Sequence, residues 1–303
     1  MSKRMTLAEA IAEHVRDGDR VAMGVHLEAL IPFAAGLELV RQGKKELTLI
    51  GPISDMLFDI LIGAGCVKRV IAAWVGNVSA GLGHNYRRAV EQGVPHPIVV
   101  EDHSNFTIQL ALLAGAYGLP YVPARTVLGS DILRVSPALR TAPSPLDGKP
   151  TVIVPPLEPD VAILAVQRSD EEGNVHVWGN LGVAVEAGLA SRKIIVLAEE
   201  VVPRDIIRSD PNRVLWPSWK VAAVVEVPGG CHPSPVPGYY NRDHDFFHQY
   251  HEESRTREGF LNWLERWVYG LPTREAYLEA LGERWASLRA RRSAPSVPVD
   301  YGY

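Results

Sequence analysis

The sequence predicts an α/β fold with an open, mainly parallel sheet flanked by helices and followed by a helical C-terminal segment. Three observations support this prediction. Short apolar runs alternate with helical patterns through residues 1–130. The runs are apolar at consecutive positions, as in parallel strands that helices cover on both faces. From 240 to 291 the strands give way to consecutive helical patterns with aromatic stripes.

The first half of the chain carries the βα alternation most clearly. Thr6 and Glu9 form a capping-box pattern, in which each side chain satisfies a free backbone N–H at a helix start. That helix is expected to end near Gly18. Such alternation implies right-handed crossovers and a doubly wound or related open sheet. Strands are predicted at 21–23, 47–50, 69–74 and 98–100, and helices at 31–41, 56–62, 86–91 and 106–117.

The second half adds strands at 161–166, 175–178, 194–197 and 221–227. A proline-rich segment at 140–159 separates them from the first half. We interpret it as a long loop crossing the same sheet, because the strands that follow are too few for an independent domain; the alternative is an interdomain linker. The sequence thus predicts one domain over 1–292 and an extended tail over 293–303.

The helical end at 240–291 is rich in aromatic side chains, among them Phe246, Trp263 and Trp285. Their number exceeds what three helices need to cover one face of a sheet. Large apolar surfaces of this kind mark interfaces, so we expect the segment to contact a partner chain.

Composition and charge exclude several classes of protein. Hydrophobic residues make up 47% of the chain and charged residues 22%, as in an ordinary globular protein. The net charge of −4, without a basic segment, argues against nucleic-acid binding. No apolar stretch is long enough for a membrane span, and the first residues do not resemble a signal peptide. With Cys66 and Cys231 as the only cysteines, we expect free thiols and a cytoplasmic location.

Three polar loops follow apolar runs, at 76–86, 100–106 and 127–131. Glycines at 76, 81 and 83 let the backbone of the first loop approach a ligand closely. Carboxyl ends of parallel strands meet at one edge of a sheet, so we expect polar side chains of the three loops to converge there. Arg125 is the candidate anchor for a carboxylate, because its planar fork can bind one bidentately. The candidate ligand-binding residues are Asn77, Ser79, Glu101, Arg125, Ser130 and Asp131.

A purely structural role is the alternative for these residues. Asn77, Ser79 and Asn85 could tie a long loop together, because buried loops must satisfy their own polar groups. Glu101 directly follows a predicted strand, where such folds bind ligands, but it could also be the neighbour of a helix N-cap.

Other catalytic motifs are weak. Gly63 and Gly65 lack the third glycine of a dinucleotide-binding fingerprint. Ser79 lacks the glycine two residues before it that a nucleophile elbow needs. His244 and His248 lie four residues apart and could bind zinc from one helix face, as in a metallohydrolase. The alternative is a solvated helix face, and without a separate third ligand we predict no metal.

Several short motifs in a fixed order give the chain a resemblance to a known family. They include Val100-Glu-Asp-His-Ser-Asn-Phe106 and Leu128-Gly-Ser-Asp131, with others at 17–19, 24–32, 48–51, 76–86, 114–116, 119–120, 172–175, 227–232 and 241–270. Together they resemble the α (A) subunit of class I coenzyme A transferases, most closely the glutaconate CoA-transferase type. One departure is clear: the family often has Gly-Gly-aromatic in its first loop, where this chain has Gly24, Val25 and His26.

The resemblance implies an enzyme that moves coenzyme A between an acyl-CoA thioester and a carboxylic acid, with a dicarboxylic acid as one candidate. In this family a glutamate carboxylate attacks the thioester, and the resulting anhydride becomes a glutamyl-CoA thioester that a second acid resolves. That glutamate normally lies on the β subunit, in a Glu-Asn-Gly-like context that this sequence lacks. The chain is therefore expected to be half an active site.

The missing half would be a β subunit in an α2β2 or larger assembly. The resemblance further implies coenzyme A as a co-substrate, no permanently bound cofactor, and substrate contacts by Gly24 and the polar loops. The acyl group cannot be named without the partner chain.

A relative of the same family hydrolyses a carbon–carbon bond of a cyclic diketone CoA thioester, using an acid on its α subunit. The resemblance places that acid within 101–105, at Asn105, where this chain has an amide. Transfer is therefore favoured over hydrolysis, and Glu101 is the candidate base of the hydrolase alternative. A binding module that retains only the fold is the remaining alternative.

Overall fold

The computed structural model describes residues 2–290, which form 13 strands and 12 α-helices. The strands are Arg20–Ala22 (β1), Leu47–Ile50 (β2), Val67–Ala72 (β3), Gly76–Asn77 (β4), Gly81–Leu82 (β5), Val99–Asp102 (β6), Val122–Ala124 (β7), Arg140–Pro143 (β8), Pro150–Val154 (β9), Val161–Ser169 (β10), Val175–His176 (β11), Lys193–Val201 (β12) and Val221–Glu226 (β13). The tail expected at 293–303 lies outside the described residues.

The helices are Leu7–His14 (α1), Phe33–Arg41 (α2), Met56–Gly63 (α3), His84–Gln92 (α4), Asn105–Tyr117 (α5), Asp131–Val135 (α6), Ala184–Ala190 (α7), Arg204–Arg208 (α8), His244–Ser254 (α9), Arg257–Leu264 (α10), Arg274–Leu281 (α11) and Glu283–Leu288 (α12). Short 3-10 turns cover Pro211–Arg213 and Ser218–Lys220, and a π-helical turn covers Glu265–Tyr269. No helix among the described residues is both long and apolar enough to cross a membrane.

Seven strands form one parallel sheet in the order β13-β12-β10-β1-β2-β3-β6, and β11 pairs antiparallel with the end of β10. The chain starts at the central strand β1, runs out to β6, and returns to β10 beside β1 before continuing to β13. This is a doubly wound sheet, so the predicted fold class is confirmed. The two longest strands, β10 and β12, are buried along nearly their whole length, as expected of strands covered on both faces.

Two layers of helices enclose the sheet. Helices α1 to α4 pack side by side, whereas α5 packs against α7. Right-handed crossovers put helices on opposite faces when the chain reverses its direction along the sheet, so these two groups cover opposite faces. All strands of the parallel sheet therefore end at one edge, and the loops after β1, β2, β3 and β6 are neighbours there.

The predicted capping box at the start of α1 is confirmed. Glu9 N donates to Thr6 Oγ1 at 3.2 Å, and Thr6 N donates to the Glu9 carboxylate at 2.9 Å. Helix α1 ends at His14, before Gly18, because Val15 is already extended with φ −117°. A second capping box, not predicted, starts α5 with Ser104 and Thr107.

The interpretation of 140–159 as a loop crossing the main sheet is wrong. This segment holds β8 and β9, which form a separate antiparallel sheet with β7 in the order β7-β9-β8. The prolines are compatible with these strands because Pro143 and Pro150 face each other at the last pair of the β8–β9 ladder, and the next backbone hydrogen bond, from Ser144 N to the Lys149 carbonyl at 2.8 Å, needs neither proline N–H. The apolar run at 152–154 supplies the buried side of the hairpin through Val152 and Val154.

The expectation that the C-terminal aromatic residues form an interface is also wrong for most of them. Phe246, Trp263 and Tyr277 are at most 2% exposed. The Phe246 ring packs edge-to-face on Trp263 and in a tilted contact on Tyr277. Trp285 is partly buried against the same core. These rings fill the space between α9, α10 and α11, so the chain buries its own aromatic surface.

Phe246→Ala should therefore lower the free energy of unfolding of the isolated chain by about 3–5 kcal/mol, the usual cost of a large cavity. Chemical denaturation measures this change directly. Trp219→Ala is the matched control: Trp219 is 75% exposed, so its loss should change the free energy by less than about 0.5 kcal/mol. Equal effects of the two substitutions would contradict a buried aromatic core.

Candidate functional site

Gly24 allows the loops after β1 and β2 to approach closely. It has φ +65°, and a Cβ at this position would lie 2.5 Å from Ser54 Oγ. Ser54 follows β2 and donates from its hydroxyl to the Met23 carbonyl at 3.0 Å. Only glycine combines this backbone conformation with so little space. Contact of Gly24 with a substrate stays a prediction.

Asn77, the last residue of β4, shapes the β4–β5 hairpin, which is the first part of the polar loop at 76–86. Its Oδ1 accepts hydrogen bonds from Ser79 N at 3.1 Å and Ala80 N at 3.2 Å, and its Nδ2 donates to the Phe247 carbonyl at 2.7 Å. The side chain is 1% exposed. These bonds occupy the amide within the chain, so Asn77 fixes the loop and anchors it to α9.

Ser79 lies in the turn of the β4–β5 hairpin and is partly exposed. Its Oγ accepts hydrogen bonds from Arg242 Nε at 3.1 Å and Arg242 Nη2 at 3.0 Å. His244 Nδ1 lies 3.2 Å from the same oxygen. The serine hydroxyl is therefore surrounded by polar groups from the segment that leads into α9.

Asp55 holds both Arg242 and the polar loop in place. Its Oδ2 accepts from Arg242 Nη2 at 2.5 Å, and its Oδ1 accepts from Met56 N at 2.9 Å and Val78 N at 3.0 Å. Asp55 is 1% exposed and has φ 50°, which is unusual for a residue other than glycine. One buried carboxylate thus caps α3, binds the arginine and ties down the polar loop.

Glu101 lies at the carboxyl end of β6, the edge strand of the parallel sheet. Its carboxylate pairs with Arg69 Nη1 at 3.2 Å and with His103 Nε2 at 3.2 Å, and His103 Nδ1 contacts Thr107 Oγ1 at 3.1 Å. The hydrogen bond with His103, assisted by the charge of Arg69, lowers the pKa of Glu101 below its ordinary value. A general base that works near neutral pH needs the opposite shift, so this environment disfavours the hydrolase alternative.

Arg125, Ser130 and Asp131 lie at a different place, on the segment between β7 and β8. Arg125 pairs with Asp147 at 3.0 Å, and Asp131 pairs with Arg134 at 3.0 Å. Ser130 Oγ donates to the Val127 carbonyl at 2.9 Å. Within residues 2–290, no hydrogen bond or ion pair joins these three residues to Ser79 or Glu101. The six candidate residues thus form three groups in the isolated chain.

A cavity of about 260 Å³ adjoins the polar loop. Its apolar walls include Trp74, which lies between β3 and β4, Leu82 from β5 and Val100 from β6. Tyr86, Arg87 and Asp102 add polar groups. A larger cavity of about 380 Å³ lies between α1, α2, α11 and the end of β13 and shares no residue with the polar loop. The smaller cavity is therefore the one that adjoins the candidate site.

His26, at the departure from the family pattern, is 1% exposed. Its Nδ1 contacts the Asn180 carbonyl at 3.2 Å, whereas its Nε2 is buried without a partner among the described residues. Burial lowers the pKa of His26 to about 4, so the imidazole is neutral at physiological pH. The loop after β1 thus carries a neutral, buried imidazole at the position where the family often has an aromatic residue.

The histidines of α9 do not assemble a metal site in the described part of the chain. His244 Nδ1 contacts Ser79, and His248 is exposed. Residues 2–290 contain no group of three or more His, Cys, Asp or Glu side chains that could hold a metal ion. The metallohydrolase alternative therefore gains no support from this geometry.

Sequence reasoning missed Asp55 and Arg242. Asp55 lies in the loop after the strand predicted at 47–50, but it does not directly follow that strand as Glu101 follows its own, so the same rule did not select it. Arg242 carried no comparable signal, because its partners Ser79 and Asp55 are 163 and 187 residues away in the chain. Only the packing of α9 against the sheet edge brings them together.

Comparison with known proteins identifies the fold and its family. A family model described as coenzyme A transferase matches residues 4–227, most of the chain. The chain belongs to the coenzyme A transferase family. It is also 40% identical over 270 residues to the A subunit of the 3-oxoadipate CoA-transferase of Pseudomonas knackmussii, covering 89% of this chain and 95% of that protein.

The fold agrees with a solved CoA-transferase. The crystal structure of glutaconate coenzyme A-transferase from Acidaminococcus fermentans superposes with a TM-score of 0.91 at 32% identity, covering 96% of each chain. These findings confirm the predicted resemblance to the α subunits of class I CoA-transferases. The chain also shares 26% identity over 281 residues with the cholesterol ring-cleaving hydrolase IpdA subunit of Rhodococcus jostii, covering 88% of this chain and 92% of that protein. That likeness is weaker, and Asn105 is an exposed amide here.

The pairing of Glu101 predicts a pH-dependent stability. The folded-state pKa of Glu101 lies below its ordinary value of 4.5, so its contribution is fully present above about pH 4.5 and is lost as the pH falls through the folded pKa. Glu101→Gln should therefore lower the free energy of unfolding most at neutral pH, and the difference from wild type should shrink in acid. Denaturant unfolding between about pH 3 and about pH 7 tests this.

Asp131→Asn is the control for this measurement, because Asp131 forms an exposed pair whose side chain is 82% accessible. Exposed pairs contribute little, so this variant should follow wild type across the range. A Glu101→Gln difference that is independent of pH would contradict the ionised pairing.

Proposed function

We propose that this chain is the α (A) component of a two-component CoA-transferase that moves coenzyme A between an acyl-CoA thioester and a dicarboxylic acid. The observation that carries the proposal is the likeness to the A subunit of a 3-oxoadipate CoA-transferase over 95% of that relative's length. Both 3-oxoadipate and glutaconate are dicarboxylic acids, which supports this acceptor class. We further expect an α2β2 or larger assembly in the cytoplasm, with coenzyme A as co-substrate and no permanently bound cofactor.

The geometry supports a nucleophile from the partner chain. The two buried acids at the sheet edge, Asp55 and Glu101, are each held by an arginine. The oxygens of a carboxylate in such a pair are engaged by hydrogen-bond donors, so it is a poor nucleophile toward a thioester. The candidate site of this chain instead offers hydrogen-bond donors, which suit the stabilisation of charge on a substrate.

The cavity beside the β4–β5 hairpin is a suitable place for the acyl group. Its apolar walls include Trp74 and Leu82, and Arg87 lies on the wall as a donor for a second carboxylate. In the isolated chain Arg87 pairs with Glu91 on an exposed helix face. Arg125 remains the sequence-based candidate for the same role, on the segment that directly follows β7.

The covalent intermediate should form on the partner subunit. When the two-subunit enzyme is incubated with an acyl-CoA and no acceptor acid, a CoA adduct should accumulate on a glutamate of the partner. Intact-mass analysis of the separated chains should show this adduct on the partner alone. An adduct on this chain, or CoA transfer at full rate by this chain alone, would overturn the proposal.

The partner should bind beside the candidate site. Four large apolar side chains at the same edge of the sheet are exposed: Trp74 (38%), Val78 (38%), Leu82 (52%) and Phe106 (51%). The first three lie between β3 and α4, and Phe106 lies in the first turn of α5. We call these four residues the apolar rim. Large apolar side chains that border an incomplete site are typical of an interface between chains. A partner bound at the apolar rim would bring its glutamate next to Ser79.

Phe106→Asp should weaken the association of the two chains at least about tenfold, because a charge would be buried at the contact. Titration of labelled partner followed by analytical ultracentrifugation measures the change in Kd. Trp219→Asp introduces the same charge at a residue that is 75% exposed beside β13, at the other end of the sheet, and should leave Kd unchanged. Equal Kd values for wild type and Phe106→Asp would place the interface elsewhere.

A further inference from the structure

The Ser79 hydroxyl has only its hydrogen left to offer. A serine oxygen accepts two hydrogen bonds and donates one. Arg242 supplies both accepted bonds, from Nε at 3.1 Å and Nη2 at 3.0 Å. The remaining neighbour is His244 Nδ1 at 3.2 Å, which can accept the hydrogen when the imidazole is neutral. Both Ser79 and His244 are accessible, so the hydrogen can turn from the imidazole to an oxygen of a bound ligand.

The position of this hydroxyl is fixed by the backbone that carries it and by Arg242. The backbone of Ser79 donates to Asn77 Oδ1 at 3.1 Å, and the preceding residue, Val78, donates to Asp55 Oδ1 at 3.0 Å. Asp55 also binds Arg242 Nη2 at 2.5 Å. The same carboxylate therefore fixes both the loop that carries the serine and the guanidinium that occupies its lone pairs. Such support is what a preorganised donor requires.

The arginine itself has little freedom. Its side chain is 10% exposed, and its guanidinium carbon lies 3.7 Å from the centre of the Phe247 ring. Stacking on an aromatic face and pairing with a buried carboxylate are both favourable for a guanidinium. The strained backbone of Asp55, at φ 50°, is held by the same set of bonds.

We propose that the Ser79 hydroxyl donates a hydrogen bond to the carbonyl oxygen of the substrate thioester, and that Arg242 and Asp55 are positioning residues for it. The proposal rests on the CoA-transferase function proposed above and adds the group in this chain that acts on the reacting carbonyl. His244 accepts the hydrogen when no substrate is bound.

The chemistry of the first step explains why a fixed donor helps. The partner's carboxylate oxygen bonds to the carbonyl carbon, negative charge develops on the carbonyl oxygen, the C–S bond breaks, and CoA leaves as the thiolate. Ser79 keeps its proton and forms no covalent bond. A hydroxyl that accepts from a cationic guanidinium is polarised and donates more strongly, so it stabilises the developing charge more than the neutral thioester.

The same geometry argues against Ser79 as a nucleophile. A nucleophilic serine needs a free lone pair directed at the carbonyl carbon, and here Arg242 occupies both lone pairs. An acyl-serine should therefore not accumulate with acyl-CoA. Its detection by peptide mass spectrometry would overturn the assignment of Ser79 as a donor.

The test uses the reconstituted two-subunit enzyme. Ser79→Ala should lower kcat and kcat/KM together, on the order of 100-fold, and leave KM for the acyl-CoA within about twofold, because the bond strengthens only in the transition state. Ser79→Thr keeps the hydroxyl and should recover most of the lost rate. His248→Asn, an exposed change one turn along α9 from His244, should leave the rate at the wild-type level.

A double-mutant cycle separates positioning from general structure. The arginine is removed together with the charge of its partner, in the combined variant Arg242→Met with Asp55→Asn, so that no buried charge is left unpaired. This combined variant should lower kcat about tenfold in the wild-type background but at most about twofold in the Ser79→Ala background, because both residues act through the hydroxyl. Ser79→Ala changes only a partly exposed hydroxyl, and it carries the test if the arginine variants do not fold.

The outcomes are distinguishable. If the wild-type complex transfers no CoA, the proposed function fails. If wild type transfers CoA and Ser79→Ala matches it within about twofold, only the donor role of Ser79 is overturned. Equal losses from the combined Arg242→Met and Asp55→Asn variant in both backgrounds would overturn the positioning role, because the pair would then act independently of the serine.

Discussion

The buried ion pair between Asp55 and Arg242 is the contact on which the candidate site depends. It joins the loop after β2 to the segment that starts α9, across 187 residues of sequence. Asp55 is 1% exposed, so removing only the arginine would leave a buried carboxylate unpaired, at a cost of about 3–5 kcal/mol. The position of the polar loop depends on this pair, because Asp55 also accepts a hydrogen bond from Val78 N and Arg242 donates to Ser79 Oγ.

A second acid on α3 extends this attachment. Asp59 lies one helical turn after Asp55, and its carboxylate accepts from Tyr250 Oη at 2.6 Å, Asn85 Nδ2 at 3.1 Å and Tyr86 N at 2.7 Å. Burial raises the pKa of Asp59 above its ordinary value, and the three donors oppose that effect. Residues at i and i+4 share one helix face, so α3 presents both acids to α9. The C-terminal helices are thus fixed to the sheet by specific polar contacts as well as by aromatic packing.

The sequence predicted the parts of the structure that depend on local patterns. Strand and helix alternation, the capping box at Thr6 and the end-to-end family resemblance follow from residues that are close in the chain. The small antiparallel sheet is not predicted because the prolines at 143 and 150 indicate a loop, although residues 152–154 form an apolar run. The sequence cannot distinguish an interface from an internal core at 240–291, because an apolar stripe looks the same whether its own chain or a partner covers it. Arg242 was missed because its partners are distant in sequence.

These contacts suggest a division of labour between two chains. A carboxylate that attacks a thioester must be ionised yet unengaged, whereas Asp55 and Glu101 are stabilised by arginines and backbone or histidine donors. Freeing either acid for catalysis would release the loop or strand end that it holds. An active site at the interface avoids this conflict, because one chain can keep its acids for structure and present fixed donors while the other supplies the reactive carboxylate. On the proposed function, the incomplete site of this chain follows from the use of its buried acids to hold the sheet edge together.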